Sequence, residues 1–217
     1  MPMNPDAAIE VTAFGWVPDF ARGQVRDLRV RWALEEAGLS YRTRLLTGER
    51  PAEYYREQPW GQVPFYREGA LQLFECGAIA LHIAERSEAL LPRDEVGRGR
   101  AIAWLFAALN SMDVPVMGHV VATAFHADEP WSPGASRAFG EFLRGRLARL
   151  GDWLGDSEWL EDRFTVGDLM MVATLRSDLA LEHAPDNVVA YVRRGEARPA
   201  FRRALDAHLA DLSPDPA

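Results

Sequence analysis

Few side chains in this sequence can do chemistry, and what is missing narrows the field first. Lysine is absent, so all 24 basic residues are arginine. That removes a Schiff-base nucleophile, a pyridoxal anchor and a P-loop lysine together. The one cysteine, Cys76, rules out an internal disulfide, a CxxC redox pair and a cysteine-rich zinc centre. The five histidines show no HExxH or comparable ligand spacing, and the seven-residue interval between His119 and His126 is not a metal signature. No metal is expected. Any bound molecule must be held by backbone, carboxylates, arginines and amides.

Those groups concentrate in residues 58–86, QPWGQVPFYREGALQLFECGAIALHIAER. Val63-Pro64 leads into a short strand, Arg67-Glu68-Gly69 reads as a turn, and a second strand leads to an amphipathic helix starting at Glu75-Cys76. A proline at a strand entrance donates no ladder hydrogen bond, so the edge beside it is left open or reserved for a ligand. An X-Pro bond at such a place is also a candidate for a cis peptide.

The elements around that stretch fall into two groups. Residues 9–14 and 41–46 read as strands, the second carrying Arg42 and Arg44 on its outer face. Between them the apolar positions of residues 24–37 recur at helical spacing, with Gly38 as the stop. Residues 51–57 suggest a helical turn. The order is βαβ, a turn, then ββα, which implies a parallel pair followed by an antiparallel hairpin.

After residue 94 the strand signal ends. A long helical pattern over 99–125 is expected to kink or split at Pro115, and a second helix covers 136–154. Phe164-Thr165-Val166-Gly167-Asp168-Leu169 is a helix start with a capping box and a hydrophobic staple. It opens a helix predicted to run to residue 181. Two shorter helices, over 187–194 and 199–212, close the chain before an unstructured tail at 213–217. The expected organisation is an α/β domain over 1–87, a linker over 88–94 and an all-α domain over 95–217.

Hydrophobic and charged shares of 48% and 26% suit a folded soluble chain, and the net charge of −8 argues against a nucleic-acid partner. No apolar run is expected to reach the length of a membrane span, no signal peptide is expected at the start, and a lone cysteine suits a reducing cytoplasm.

Four segments in order resemble the cytosolic glutathione transferase family. Gln58-Pro59-Trp60-Gly61-Gln62-Val63-Pro64 is similar to its N-P-x-G-x-V-P segment, with Gln58 in place of asparagine. Glu75-Cys76-Gly77-Ala78-Ile79 is similar to its E-S-x-A-I helix start, Arg31 to Gly38 to its first helix, and Phe164 to Asp168 to its capping box. The resemblance covers about residues 9–212. It implies a thioredoxin-like α/β N-terminal domain, an all-α helical C-terminal domain, glutathione as co-substrate, a small apolar electrophile as second substrate, a role in detoxification and a homodimer.

It also implies a set of site residues. The Val63 backbone beside Pro64 would pair with the cysteinyl unit of glutathione, by strand addition. The Glu75 carboxylate would hold the γ-glutamyl ammonium, and the helix N-terminus at Cys76 would face the α-carboxylate. Gln62 would bond the glycine end or nearby backbone. Cys76 replaces a serine with a weaker donor. Family members lower the glutathione thiol pKa with a tyrosine, serine or cysteine, yet no such residue occurs between Gly15 and Arg31. Gln24, Arg26 and Arg22 are the remaining catalytic candidates, by amide donation or positive charge. Trp16, Phe20, Trp104, Met112 and Val116 are the candidates for the second-substrate pocket. Two alternatives remain open: a glutathione-dependent reductase or isomerase, and a non-catalytic binding or regulatory protein on the same fold.

Overall fold

In the computed structural model, which describes residues 3–213, the chain forms two compact units. One is Met1–Leu91 together with Arg198–Ala217, and the other is Pro92–Ala197. Met1, Pro2 and residues 214–217, which include most of the expected tail, lie outside the described residues.

The first unit is built on a four-stranded sheet of order β2-β1-β3-β4. β1 (Ile9–Phe14) runs parallel to β2 (Tyr41–Leu46) and antiparallel to β3 (Phe65–Glu68), which forms a hairpin with β4 (Leu71–Phe74). β1 is central and buried, with Val11 fully buried and Ala13 and Ile9 nearly so. Crossover helix α1 (Asp27–Ala37) buries Val30, Trp32, Ala33 and Leu34 completely. It stops where expected: Gly38 adopts φ 66°, and the Leu39 N–H returns to the Leu34 carbonyl at 3.0 Å. After the short α2 (Tyr54–Glu57) and the hairpin, α3 (Cys76–Ala84) packs beside α1.

The second unit is helical. Its first helix is α4 (Glu95–Phe106), which continues through residues 107–112 in a widened π register into α5 (Asp113–Val120), and then through a second π segment to Phe125. Pro115 therefore does not split the pattern. The wider register lies immediately upstream, where the carbonyls that a proline ring would crowd are located. The resulting segment, Glu95–Phe125, is long and apolar enough to cross a membrane by length and composition. By that measure it exceeds the expectation that no apolar run is long enough for a span. In this unit α4 packs on α7 (Val166–Leu175), and α5 packs on α6 (Ser132–Leu154).

The helix expected over 166–181 breaks at Arg176, because the Ser177 hydroxyl caps a new start, accepting from the Ala180 N–H at 3.2 Å. α8 (Asp178–Leu181) follows, then α9 (Asp186–Glu196). The last helix, α10 (Pro199–Ala210), was expected within the helical domain, but it packs along α1 and groups with the first unit.

The predicted capping box is present. Asp168 Oδ2 accepts the Thr165 N–H at 2.9 Å, and Thr165 Oγ1 accepts from the Gly167 N–H at 3.2 Å. Asp168 Oδ1 also takes the Leu160 N–H at 2.9 Å and the Tyr191 hydroxyl at 3.1 Å. Burial pushes the Asp168 carboxyl up to about 6, against these donors, which favour its ionised form. A carboxyl raised in the folded state stabilises most below its unfolded pKa of about 3.9 and loses that contribution as pH rises towards the folded value. Stability of the wild-type chain should therefore contain a component that falls between about pH 4 and pH 6. In Asp168→Asn that component should vanish when denaturation midpoints are compared at the two pH values, and overall stability should drop by about 1–3 kcal/mol from the broken cap.

Candidate functional site

The segment that leads to Val63 is anchored from several sides. Glu57 closes α2 between two arginines, with Arg44 Nη2 of β2 and Arg67 Nη2 of β3 each 2.5 Å from one of its oxygens. The hydrogen bond from Arg44, together with both positive charges, holds the Glu57 carboxyl below the usual range. Buried Gln58 folds its side chain back, and its Oε1 accepts the Trp60 N–H at 2.7 Å and the Gln62 N–H at 3.3 Å. The Tyr54 hydroxyl donates to the Gln62 carbonyl at 2.6 Å, and Arg50 Nε donates to the Gly61 carbonyl. Gly61 adopts φ 64°, and a Cβ there would meet the Tyr55 ring at 2.6 Å. Only glycine satisfies both conditions.

This scaffold delivers the Val63-Pro64 bond in the cis form. Ladder pairing of β3 with β1 begins at Phe65, opposite Thr12, so Val63 lies beyond the sheet. Among the described residues none hydrogen-bonds to the Val63 N–H or carbonyl, although the side chain is buried. Buried segments rarely leave backbone groups unpaired.

Next to it, Glu75 caps α3 at φ 71°, ψ 114°, the one non-glycine residue with positive φ among those described. Among the described residues none partners its exposed carboxylate. Such backbone geometry costs on the order of 1–3 kcal/mol and persists where the surroundings demand it. Behind Glu75, Cys76 is buried and its Sγ lies 3.9 Å from Arg29 Nη1. The Cys76 and Gly77 N–H groups begin α3 without intrahelical acceptors.

A narrow surface slot is lined by Arg26, Gln58, Gln62, Val63, Pro64, Glu75 and Cys76. It gathers the five residues read from the sequence as ligand contacts and one of the three catalytic candidates. Arg26 stands at the start of α1 as its cap residue. Arg22 and Gln24 do not line the slot: Arg22 Nη1 donates to the Ser213 carbonyl at 3.2 Å, and Gln24 is exposed on the loop. In the sequence Gln58 stands out only as a substitution for the motif's asparagine. Its buried amide belongs to the scaffold, a role for which no local pattern gives a signal.

The second-substrate candidates divide between the units. Trp16, 40% exposed, lines a cavity of about 350 Å³ with Phe14, Val17, Pro18, Leu46, Gly48 and Arg50. Phe20 is exposed in the same unit. In the helical unit Trp104 donates Nε1 to Glu161 at 2.8 Å and packs edge-on against Trp153, while Met112 and Val116 are buried. Among the described residues, no group of three or more His, Cys, Asp or Glu is placed to hold a metal.

The sequence and the fold are similar to those of known proteins. Residues 20–85 match the family description "Glutathione S-transferase, N-terminal domain". Glutathione S-transferase F10 of Arabidopsis thaliana is 32% identical over 150 residues, 65% of this chain and 68% of the relative. The chain belongs to the glutathione transferase family. Glutathione S-transferase 4 of Zea mays is 29% identical over 196 residues, 81% of this chain and 85% of the relative. Among solved structures, Ure2p in complex with glutathione superposes with TM-score 0.79 at 20% identity, covering 94% of this chain and 95% of that one. The last likeness shows the fold: a thioredoxin-like sheet domain with a helical domain.

If the backbone at Glu75 is held against its preference, Glu75→Gly should relieve it. Allowing for the extra freedom glycine gives the unfolded chain, the net gain should be about 1 kcal/mol in urea denaturation. A loss of stability would mean that Glu75 is not strained.

Proposed function

We propose that this protein is an active glutathione transferase that binds glutathione in the slot beside Val63 and Glu75. The observation that carries the proposal is the pairing of an unbonded Val63 backbone with an unpartnered Glu75 carboxylate in one slot. Taken alone, an open strand edge and an acidic cap are both common. Together they fit the two ends of a γ-glutamyl peptide, with backbone pairing for the cysteinyl unit and a carboxylate for the ammonium. The α3 N–H groups of Cys76 and Gly77 suit the ligand's α-carboxylate. The Gln62 side chain suits the glycine end.

Cys76 has a structural part in this reading. Its thiol is buried against Arg29, so it fills space and keeps that guanidinium beside the γ-glutamyl end.

Catalysis requires the sulfur as thiolate. A free thiol near pKa 8.5 is only about 3% ionised at pH 7, and lowering it by about two units makes thiolate the major form. In this chain Arg26, on the slot and at the start of α1, is best placed to hold that charge. The helix N-terminus adds a smaller favourable field. The proton leaves to solvent, the thiolate attacks an apolar electrophile, and a carbon–sulfur bond forms as the electrophile's leaving group departs or its double bond accepts the electron pair. The Trp16 cavity offers apolar walls for such a partner.

Phe106, Val114, Met117, Val121 and Phe125 are exposed at helical spacing along the segment Glu95–Phe125. A second copy of the chain covering this face would give the homodimer, working in the cytoplasm on reactive small molecules. Val114→Glu should then shift the sedimenting species from dimer to monomer, and an unchanged mass would remove that face from consideration.

Titration calorimetry with glutathione, joined to the ultraviolet absorbance of the bound thiolate, tests the main reading. Binding with a bound thiol pKa at or below about 7 is expected. Glu75→Ala should abolish the binding heat, and Arg26→Met should keep binding while raising the thiol pKa by about one unit. Binding without thiolate would favour the non-catalytic reading, which the missing tyrosine, serine or cysteine of residues 15–31 also supports. Absence of binding would reject both the transferase and the glutathione-dependent reductase or isomerase readings.

A further inference from the structure

The loop between β1 and α1, residues 15–26, carries Trp16, Arg22, Gln24 and Arg26, and the end of the chain holds that loop in three places. The Ser213 N–H donates to the Gly15 carbonyl at 2.8 Å. Arg22 Nη1 donates to the Ser213 carbonyl at 3.2 Å. Gly23, at φ 74°, comes so close to α10 that a Cβ there would lie 3.3 Å from Leu205 Cδ1.

α10 is in turn fixed to α1 by charge as well as by packing. Asp27, the first residue of α1, is fully buried; its Oδ2 accepts from Arg31 Nε at 2.8 Å and faces His208 Nδ1 at 3.0 Å. Arg31 Nη2 reaches Asp211 at 2.8 Å, Arg203 reaches Glu35 at 2.7 Å, and Arg198 reaches Glu36 at 2.6 Å. Edge-on contact between Trp32 and Phe201 fills the space between the helices. Burying Asp27, Arg31 and His208 forfeits hydration, so such groups add little net stability over an apolar pair of equal volume. Their attested contribution is register. A one-turn slip of α10 would leave several of these charges buried and unpaired, and it would carry Leu205 and Ser213 away from the loop.

From this geometry we propose that α10 and Ser213 form a brace that fixes residues 15–26 and so sets where Arg26 and the start of α1 meet the sulfur of bound glutathione. Leu205 and Ser213 are positioning residues, acting through the loop without touching the ligand. The proposal rests on the glutathione reading given above for its functional half, whereas its structural half stands by itself.

Two full-length variants test it. Ser213→Pro deletes the N–H that holds Gly15, and Leu205→Ala removes the side chain against Gly23. The Ala21, Arg22 and Gln24 amides are hydrogen-bonded inside the loop, so their exchange reports its opening. In each variant they should exchange at least about tenfold faster, while the Ile79 and Glu85 amides of α3 keep their wild-type rates. The bound thiol pKa should rise by about one unit, a tenfold fall in its acid ionisation constant, with the glutathione Kd changed less than about threefold. Wild-type exchange of the loop in both variants would overturn the brace. Faster loop exchange with an unchanged thiol pKa would overturn its link to the sulfur. If the wild-type chain binds no glutathione, the transferase reading fails, and the exchange rates alone decide the brace.

Discussion

Where β1 and β3 stop pairing governs most of what this fold presents. The ladder ends at Thr12 and Phe65, because Pro64 has no N–H to extend it. Val63 is thereby left with a buried side chain and an unpaired backbone. Upstream, Glu57, Gln58, Tyr54 and Arg50 hold the approaching segment in place. Downstream, the β3–β4 hairpin returns the chain so that α3 begins beside the same edge. An open strand edge and a helix N-terminus converge on one slot as a consequence of that single interruption in the sheet.

Stability is given up at the places where a ligand would be met. Glu75 holds an unfavourable backbone conformation, and Val63 forgoes a ladder bond worth on the order of 1 kcal/mol. Elsewhere the chain follows local preference: Gly38 stops α1, Thr165 and Asp168 cap α7, and Ser177 starts α8. Departures from local preference that cluster in one slot are the usual mark of a functional site.

Much of this was legible in the residues, for physical reasons that also explain the gaps. β1 and β2 were read to their terminal residues, since β-branched and alternating positions leave a period-two trace. The capping box and the stop at Gly38 are local chemistry, and local chemistry is written locally. Register inside a long helix is not, so the π segments that carry the chain past Pro115 escaped notice. Long-range docking was equally hidden. Periodicity showed that α10 has a buried face, but nothing near Arg198, Arg203 or His208 indicates partners at Glu36, Glu35 and Asp27, more than 160 positions away. For the same reason the scaffold role of Gln58 was invisible. Around the slot the candidate contact residues are recognisable as a resemblance, whereas no motif chooses among Arg22, Gln24 and Arg26; of the three, only Arg26 lines the slot.

On the reading proposed above, the Val63 edge is kept open for a peptide ligand. Hydrogen exchange at the Val63 amide, measured with and without saturating glutathione, tests it most directly. With no protein partner, that N–H should exchange readily in the free protein and slow by at least about tenfold when glutathione pairs with it. An amide that exchanges at the same rate in both conditions, with glutathione demonstrably bound, would contradict the account.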